Sequence, residues 1–294
     1  MGKIFKALEK SESEGVKEAA PKKRNASAVS VKKEEVRQEY RKTDVEKHPQ
    51  QKKQIPPAGF YPSISKADRN LVSVLKPHSI ESEQFRVLKN SLLFPESGKP
   101  PRTVMVTSTS QGEGKSFVAS NLAAAIAYSI DEYVLLVDCD LRHPTIHTMF
   151  GVENNEGLST YLTKGVPLSS LLKKTFLQKL TILPGGRPPG NPSELISSEQ
   201  MRRMIKEVES RYDDRYVILD APPPYITSEA NALAKYVDGV VIVVKYGQTR
   251  KDRLQDIIDI YGKDRILGVV KNFAKGKFGL SYGYKYKYGY SQKG

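Results

Sequence analysis

Cysteine is almost missing from this chain: Cys139 stands alone among 294 residues. An intrachain disulfide and a cysteine zinc cluster are both excluded, and a reducing compartment fits. Long apolar runs are missing too. The longest, near Val118–Ile130, falls well short of the roughly 20 residues that cross a bilayer. The N-terminus has no signal-peptide apolar region, because Lys3, Lys6 and Lys10 interrupt it. Residues 1–70 have almost no apolar clustering. Runs such as Lys32-Lys-Glu-Glu35 and Gln50-Gln-Lys-Lys-Gln54 cannot bury enough surface to offset their ordering entropy, so a disordered basic arm is expected. Within it Ile4, Phe5 and Leu8 share a helical face at residues 2–10. That reads either as a short docking helix for a partner or membrane surface, or as a frayed turn.

What is present begins at Val72, where apolar runs recur. About 200 residues remain for a folded domain, enough for a buried sheet with helices on both faces. Net charge is +14, which suits nucleic acid, an anionic membrane surface or phosphate ligands without choosing among them. Ser82–Leu93 reads as an amphipathic helix, with Phe85, Leu88 and Leu92 on its apolar face. Strands are expected at Thr103–Thr107, Val134–Asp138, Leu180–Leu183, Tyr216–Asp220, Gly239–Lys245 and Ile266–Val270. Helices are expected at Lys115–Ile130, Ser193–Ser210, Ser228–Lys235 and Thr249–Tyr261. The strand runs are continuously apolar, as parallel strands buried on both faces are. The alternation predicts a doubly wound, mostly parallel α/β sheet, with ligands outside the carboxyl ends of its strands.

The segment after the first strand carries the strongest signal. Thr107-Ser-Thr-Ser-Gln-Gly-Glu-Gly-Lys-Ser116 turns through small residues into a helix. Backbone N–H groups left unpaired there, with the positive end of the helix dipole, form an anion site. Lys115 offers a cation for the β- and γ-phosphates and Ser116 a hydroxyl for Mg²⁺. Only the C-terminal half of GxxxxGK[ST] matches, because Thr109 stands where the first glycine belongs. The plainer reading is a glycine-rich strand–helix turn; the residues favour a deviant P-loop that binds a nucleoside triphosphate.

Carboxylates end the next strands. Asp138 and Asp140 fall on one side of an extended chain and could bind Mg²⁺ through water or accept a hydroxyl proton. Alternatively they cap a helix and pair with Arg142. Asp220, before Ala221-Pro-Pro-Pro224, has the Walker B arrangement. Asn272 could read an adenine edge or simply form a turn. After Gly276, Tyr282, Tyr284, Tyr286, Tyr288 and Tyr290 alternate with Gly or Lys. Three readings stay open: an edge strand, a base-stacking tail for single-stranded nucleic acid, or a flexible set of phenols accepting phosphate.

Taken together, these residues resemble the bacterial protein-tyrosine kinases (BY-kinases) of capsular and exopolysaccharide production. The resemblance runs from about Ser79 to the C-terminus. It rests on Glu83-x-x-Arg86-x-x-Lys89, Ser110-x-Gly-Glu-Gly-Lys-Ser116, Asp138-x-Asp-x-Arg142, Pro189-Gly-Asn-Pro-Ser-Glu-Leu195, Asp220-x-Pro-Pro223 and the tyrosine tail. Related partition and septum-site ATPases carry a signature lysine where Ser110 stands. Two positions depart from the family pattern: Gln111 replaces a frequent Pro, and Lys89 replaces a frequent Arg, losing its bidentate fork.

The resemblance implies ATP and Mg²⁺ as cofactors. ATP would be held by Ser110, Gln111, Gly112, Glu113, Gly114, Lys115, Ser116 and Phe117, with Arg142 and Asn272. It implies Ser116, Asp138 and Asp220 around the metal with Asp140 beside them, and Asp138 as general base with Lys115, Asp140 and Asp220 completing the catalytic set. Glu83, Arg86 and Lys89 would join copies into an oligomer whose members phosphorylate each other's tail tyrosines. The expected organisation is an arm at 1–70, a kinase domain at 71–277 and a tail at 278–294. Expected partners are the chain itself, a membrane chain-length-determinant protein as activator and a phosphotyrosine phosphatase, with no nucleic acid. The expected location is cytoplasmic, at the inner face of the membrane through that partner. The competing classes are a partition-type ATPase that labels no protein, and a nucleotide-gated adaptor for nucleic acid or membranes.

Overall fold

The computed structural model describes residues 63–211, 214–225 and 227–274. The N-terminal docking-helix and tail-tyrosine expectations lie outside these residues. In chain order the elements are α1 (Val72–Leu75), α2 (Ile80–Leu93), β1 (Thr103–Ser108), α3 (Lys115–Ala127), β2 (Tyr133–Asp138), α4 (Ile146–Phe150), α5 (Leu158–Lys164) and α6 (Leu168–Leu171). Then follow β3 (Lys173–Lys174), β4 (Leu180–Leu183), α7 (Pro192–Ile196), α8 (Glu199–Arg211), β5 (Arg215–Asp220), α9 (Glu229–Leu233), β6 (Gly239–Lys245), α10 (Lys251–Tyr261) and β7 (Ile266–Asn272).

The strands form one sheet in the order β3-β4-β2-β5-β1-β6-β7, parallel except for β3 against β4. Side-chain alternation divides its apolar residues between two cores. Val104, Val106, Leu136 and Ile218 join one with α3, while Met105, Leu135, Val137 and Leu219 join the other with α8 and α10. Sheet residues buried on both faces need no polar alternation, which explains the continuous apolar runs. From Val118 to Ala127 every residue of α3 is buried. Its alanines let the helix lie close to the sheet, and truncating Leu122, which is wholly buried, would cost about 2–5 kcal/mol. Phe117 meets Phe85 edge-on at 5.7 Å between ring centres, fastening α2 to α3.

Differences from the expected elements have local causes. The single helix expected over Ser193–Ser210 is two, because Ser198 Oγ donates to Leu195 O and accepts Met201 N–H, ending α7 and starting α8. The two-residue β3 and the short helices α4, α5 and α6 carry too few residues to show a period. Order also reaches back before residue 70: Ile64–Lys66 is a 3₁₀ turn, and Asp68 N–H donates to Met149 O at 3.0 Å.

Candidate active site

Three strand ends meet at one rim of the sheet. Asp138 and Asp220 are register partners on β2 and β5, and β1 lies beside β5 with Val106 opposite Asp220. From the end of β1 the chain turns through Gly112 and Gly114, at φ of 81° and 88°, into α3. A β-carbon at Gly114 would come within 2.1 Å of Asn272 Nδ2, so glycine is required there by φ and by contact.

The Lys115 ammonium reaches the carboxylates. Its Nζ lies 2.9 Å from Asp140 Oδ2 and 3.5 Å from Asp220 Oδ1, and donates to Ser116 Oγ at 3.2 Å. Ser116 Oγ in turn donates to Asp220 Oδ2 at 2.6 Å. Burial alone would depress the lysine's proton affinity, but Asp220 and Asp140 outweigh it and raise the pKa above its ordinary value. The carboxylates are raised as well, but in their case burial is the cause. Burial first, then Asp220's charge, pushes Asp138 well above the carboxylate range, against the N–H donors of Ile146 and Thr145 and the charge of Lys115. Burial likewise raises Asp220, partly offset by Lys115 and Ser116. Two fully buried carboxylates side by side hold protons more tightly until more positive charge arrives.

These donors fit Mg²⁺ bound together with a triphosphate. Buried Asp220 Oδ1 has only the 3.5 Å ion pair with Lys115 among the described residues, while Oδ2 takes the Ser116 hydroxyl, so Oδ1 has room for a cation. Among those residues no three His, Cys, Asp or Glu form a cage of their own. Mg²⁺ is ordinarily held by one or two carboxylates, waters and substrate phosphates, so a cage is not required.

Several expected site residues make further contacts within the protein. Asp138 Oδ2 accepts Thr145 N–H at 2.8 Å and Ile146 N–H at 2.9 Å, capping α4. Arg142 does not pair with Asp138 or Asp140. Its Nε donates to the buried Glu229 at 3.0 Å and its Nη2 to Ser193 Oγ at 3.0 Å, tying the loop after β2 to α9 and α7. Phe117 turns its ring into the α2–α3 contact. Asn272 Nδ2 donates to Glu113 O at 3.0 Å while its Oδ1 accepts Phe273 N–H, so the amide braces the P-loop as well as forming a turn. Glu113 is folded into its own loop. Glu229 and Thr249, which hold Arg142 and Glu113, were missed by sequence reasoning, since no spacing links residues so far apart in the chain.

On α2, Glu83 and Arg86 pair at 2.5 Å on the exposed side. Arg86 also donates to Pro77 O. Arg86 and Lys89 line a groove of about 360 Å³ with Ser73, Ser82 and Tyr128. Beyond the charges, Ile80, Val87 and Phe94 recur at seven-residue spacing and are 71%, 60% and 73% exposed.

The strand–loop–helix cradle, its lysine and the strand-end carboxylates define a P-loop nucleotide-binding protein. A family model described as AAA domain matches residues 101–263. The chain is 35% identical over 222 residues to tyrosine-protein kinase YwqD of Bacillus subtilis, covering 75% of this chain and 92% of that one. It is 30% identical over 200 residues to the putative tyrosine-protein kinase CapB of Staphylococcus aureus, covering 67% and 86%. Among solved structures, the kinase domain of Escherichia coli tyrosine kinase ETK superposes with a TM-score of 0.64 at 29% identity, covering 76% of this chain and 89% of that one. The chain belongs to the bacterial tyrosine-protein kinases. Among the described residues no helix is long and apolar enough to cross a membrane.

Proposed function

We propose that this kinase transfers the γ-phosphoryl group of ATP to the tail tyrosines of a neighbouring copy, at Tyr282, Tyr284, Tyr286, Tyr288 and Tyr290. The observation that carries this reading is the convergence of Lys115, Ser116, Asp140 and Asp220 at one rim, with Asp138 beside Asp220. A phenol, with a pKa near 10, needs a base as it attacks. The resemblance assigns that role to Asp138, which stands beside Asp220 at the rim. Asp140 orients Lys115, whose charge would meet the β- and γ-phosphates. Ser116, Asp138 and Asp220 would hold Mg²⁺, which when bound neutralises charge on the phosphate oxygens. Loop N–H groups from residues 111–116 supply the remaining donors.

Membership of a kinase family supports self-association, a membrane chain-length-determinant partner that activates the enzyme at the inner face of the membrane, and an opposing phosphatase. The unmodified tail carries Lys285, Lys287 and Lys293 and is drawn to an acidic rim. Each phosphate adds about −1.5 to −2 charges at pH 7. Several would reverse the tail's sign and expel it from a site that already holds ATP. Cycling between the two states would then regulate capsule or exopolysaccharide synthesis and export.

The test mixes two full-length proteins with labelled ATP and Mg²⁺. One carries Lys115→Met and an intact tail; the other keeps Lys115 and has Phe at all five tail positions. Label on the Lys115→Met tail is expected. Phosphate released with no labelled protein, from wild type as well, would favour the partition-type ATPase. Label on Tyr40 or Tyr61 instead would move the acceptor.

A further inference from the structure

The carboxylate of Glu113 has no part in the mechanism above, yet it is only 4% exposed. Among the described residues no cation pairs with it. It is held by four donors instead. Oε2 accepts Thr109 N–H at 2.7 Å and Ser110 N–H at 2.9 Å. Oε1 accepts the Thr109 hydroxyl at 2.8 Å and the Thr249 hydroxyl. A carboxylate offers about four lone-pair sites, and all are used. Thr249 is itself anchored, since its hydroxyl oxygen accepts Lys245 N–H at 2.8 Å from the end of β6. The backbone of Glu113 is held as well, by the Asn272 amide at the end of β7.

These contacts lie where the chain departs from GxxxxGK[ST]. Thr109 occupies the position of the first glycine, whose freedom ordinarily shapes the opening turn. Here two consecutive N–H groups are gathered inward by a carboxylate from the same loop, four and three residues on. The turn is fixed by charge-assisted hydrogen bonds rather than by glycine. The donors of Thr109 and Ser110 are thereby withdrawn from any bound anion, leaving those nearer α3.

We infer that Glu113 is a positioning residue for the phosphate site: its carboxylate stands in for the missing first glycine, and through Thr249 it makes the β6–α10 connection part of the loop's support. This rests on the P-loop of the proposed function being the ATP site. Fixing a loop that binds phosphates equally in ground and transition states affects KM for ATP more than kcat.

The experiment uses the full chain, with direct binding of Mg²⁺–ADP and initial rates of tyrosine phosphorylation against ATP concentration. Glu113→Met keeps the side chain's length but offers no acceptor oxygen, stranding two N–H groups. It is expected to weaken ADP binding and raise KM roughly tenfold, with kcat within about threefold. Glu113→Gln keeps one oxygen toward Thr109 and Ser110 N–H while the hydroxyls rotate to accept, and should recover to within about threefold of wild type. Thr249→Val should weaken ADP binding about threefold and add nothing to Glu113→Met, since the two share one contact. ADP affinity of folded Glu113→Met within twofold of wild type would overturn the inference, as would a Gln variant no better than Met. If Glu113→Met does not fold, Thr249→Val decides: unchanged affinity overturns, weakened affinity supports. A wild-type protein that binds ADP but labels no tyrosine would sink the kinase mechanism, and the binding measurements would still judge Glu113.

Discussion

Asp138 and Asp220 stand side by side at the carboxyl ends of β2 and β5, neither exposed to solvent, with Lys115 reaching to Asp220 at 3.5 Å. Two adjacent buried carboxylates repel, and one cation serves them and Asp140. The rim is therefore short of positive charge, which suits the metal–triphosphate of the proposed function.

Lys115→Met removes that cation. Tyrosine phosphorylation should fall at least about a hundredfold, since a charge stabilising the transition state is lost. Stability should fall as well, by up to about 3–5 kcal/mol if the carboxylates stay ionised. Adding Asp220→Asn should restore part of the denaturation midpoint and none of the activity. A double variant less stable than Lys115→Met alone would contradict the charge balance described.

The two carboxylates of the β2 end are separable. Asp138→Asn should lower kcat about 10²–10³-fold with ADP affinity kept within a few fold, as loss of a general base does. Asp140→Asn releases Lys115 and should instead weaken ADP binding, with a smaller fall in kcat. Steady-state rates with direct ADP binding distinguish them, and the reverse pattern would exchange their roles.

Metal-free stability should depend on pH in a stated direction. An unfolded Asp titrates near 3.9, while Asp138 and Asp220 titrate higher in the fold. Above the unfolded value the native state binds more protons than the unfolded one, so their contribution to stability falls as pH rises through the folded pKa values. In EDTA, the stability of wild type relative to Asp138→Asn should therefore decline from about pH 5 to about pH 8 in denaturant titrations. A rising difference would contradict the shift.

The exposed stripe of α2 gives a prediction about assembly. Val87→Asp places a charge on the exposed side of α2, where Val87 is 60% exposed, without touching the core. Monomer stability should change by no more than about 0.5 kcal/mol. Sedimentation should show loss of any oligomer, and phosphorylation should become strongly dependent on protein concentration. The Glu83–Arg86 pair is exposed and contributes roughly 0–1 kcal/mol to the monomer's stability.

The sheet and the P-loop were legible in sequence because their signals are local. Val134–Val137 and Gly239–Lys245 announce buried strands by unbroken apolarity, and Gly114-Lys115-Ser116 announces a phosphate turn by three adjacent residues. The β2 and β5 carboxylates were found because strand ends line up in this architecture. Contacts across the chain were not legible. Arg142 to Glu229 spans 87 residues and Glu113 to Thr249 spans 136, and no period or spacing encodes either. Asp138 also shows that cap and site are not exclusive readings: one oxygen caps α4 while the side chain stands beside Asp220.

Asn272 is the last residue of β7, and its amide holds the carbonyl of Glu113. The proposed acceptor segment therefore starts beside the P-loop of its own copy, with Tyr282 ten residues farther on and within roughly 35 Å at full extension. If the tail tyrosines are the acceptors, as proposed, the tether to Tyr290 is eighteen residues and spans roughly 60 Å at most, which bounds how far a neighbour's site can stand from this rim.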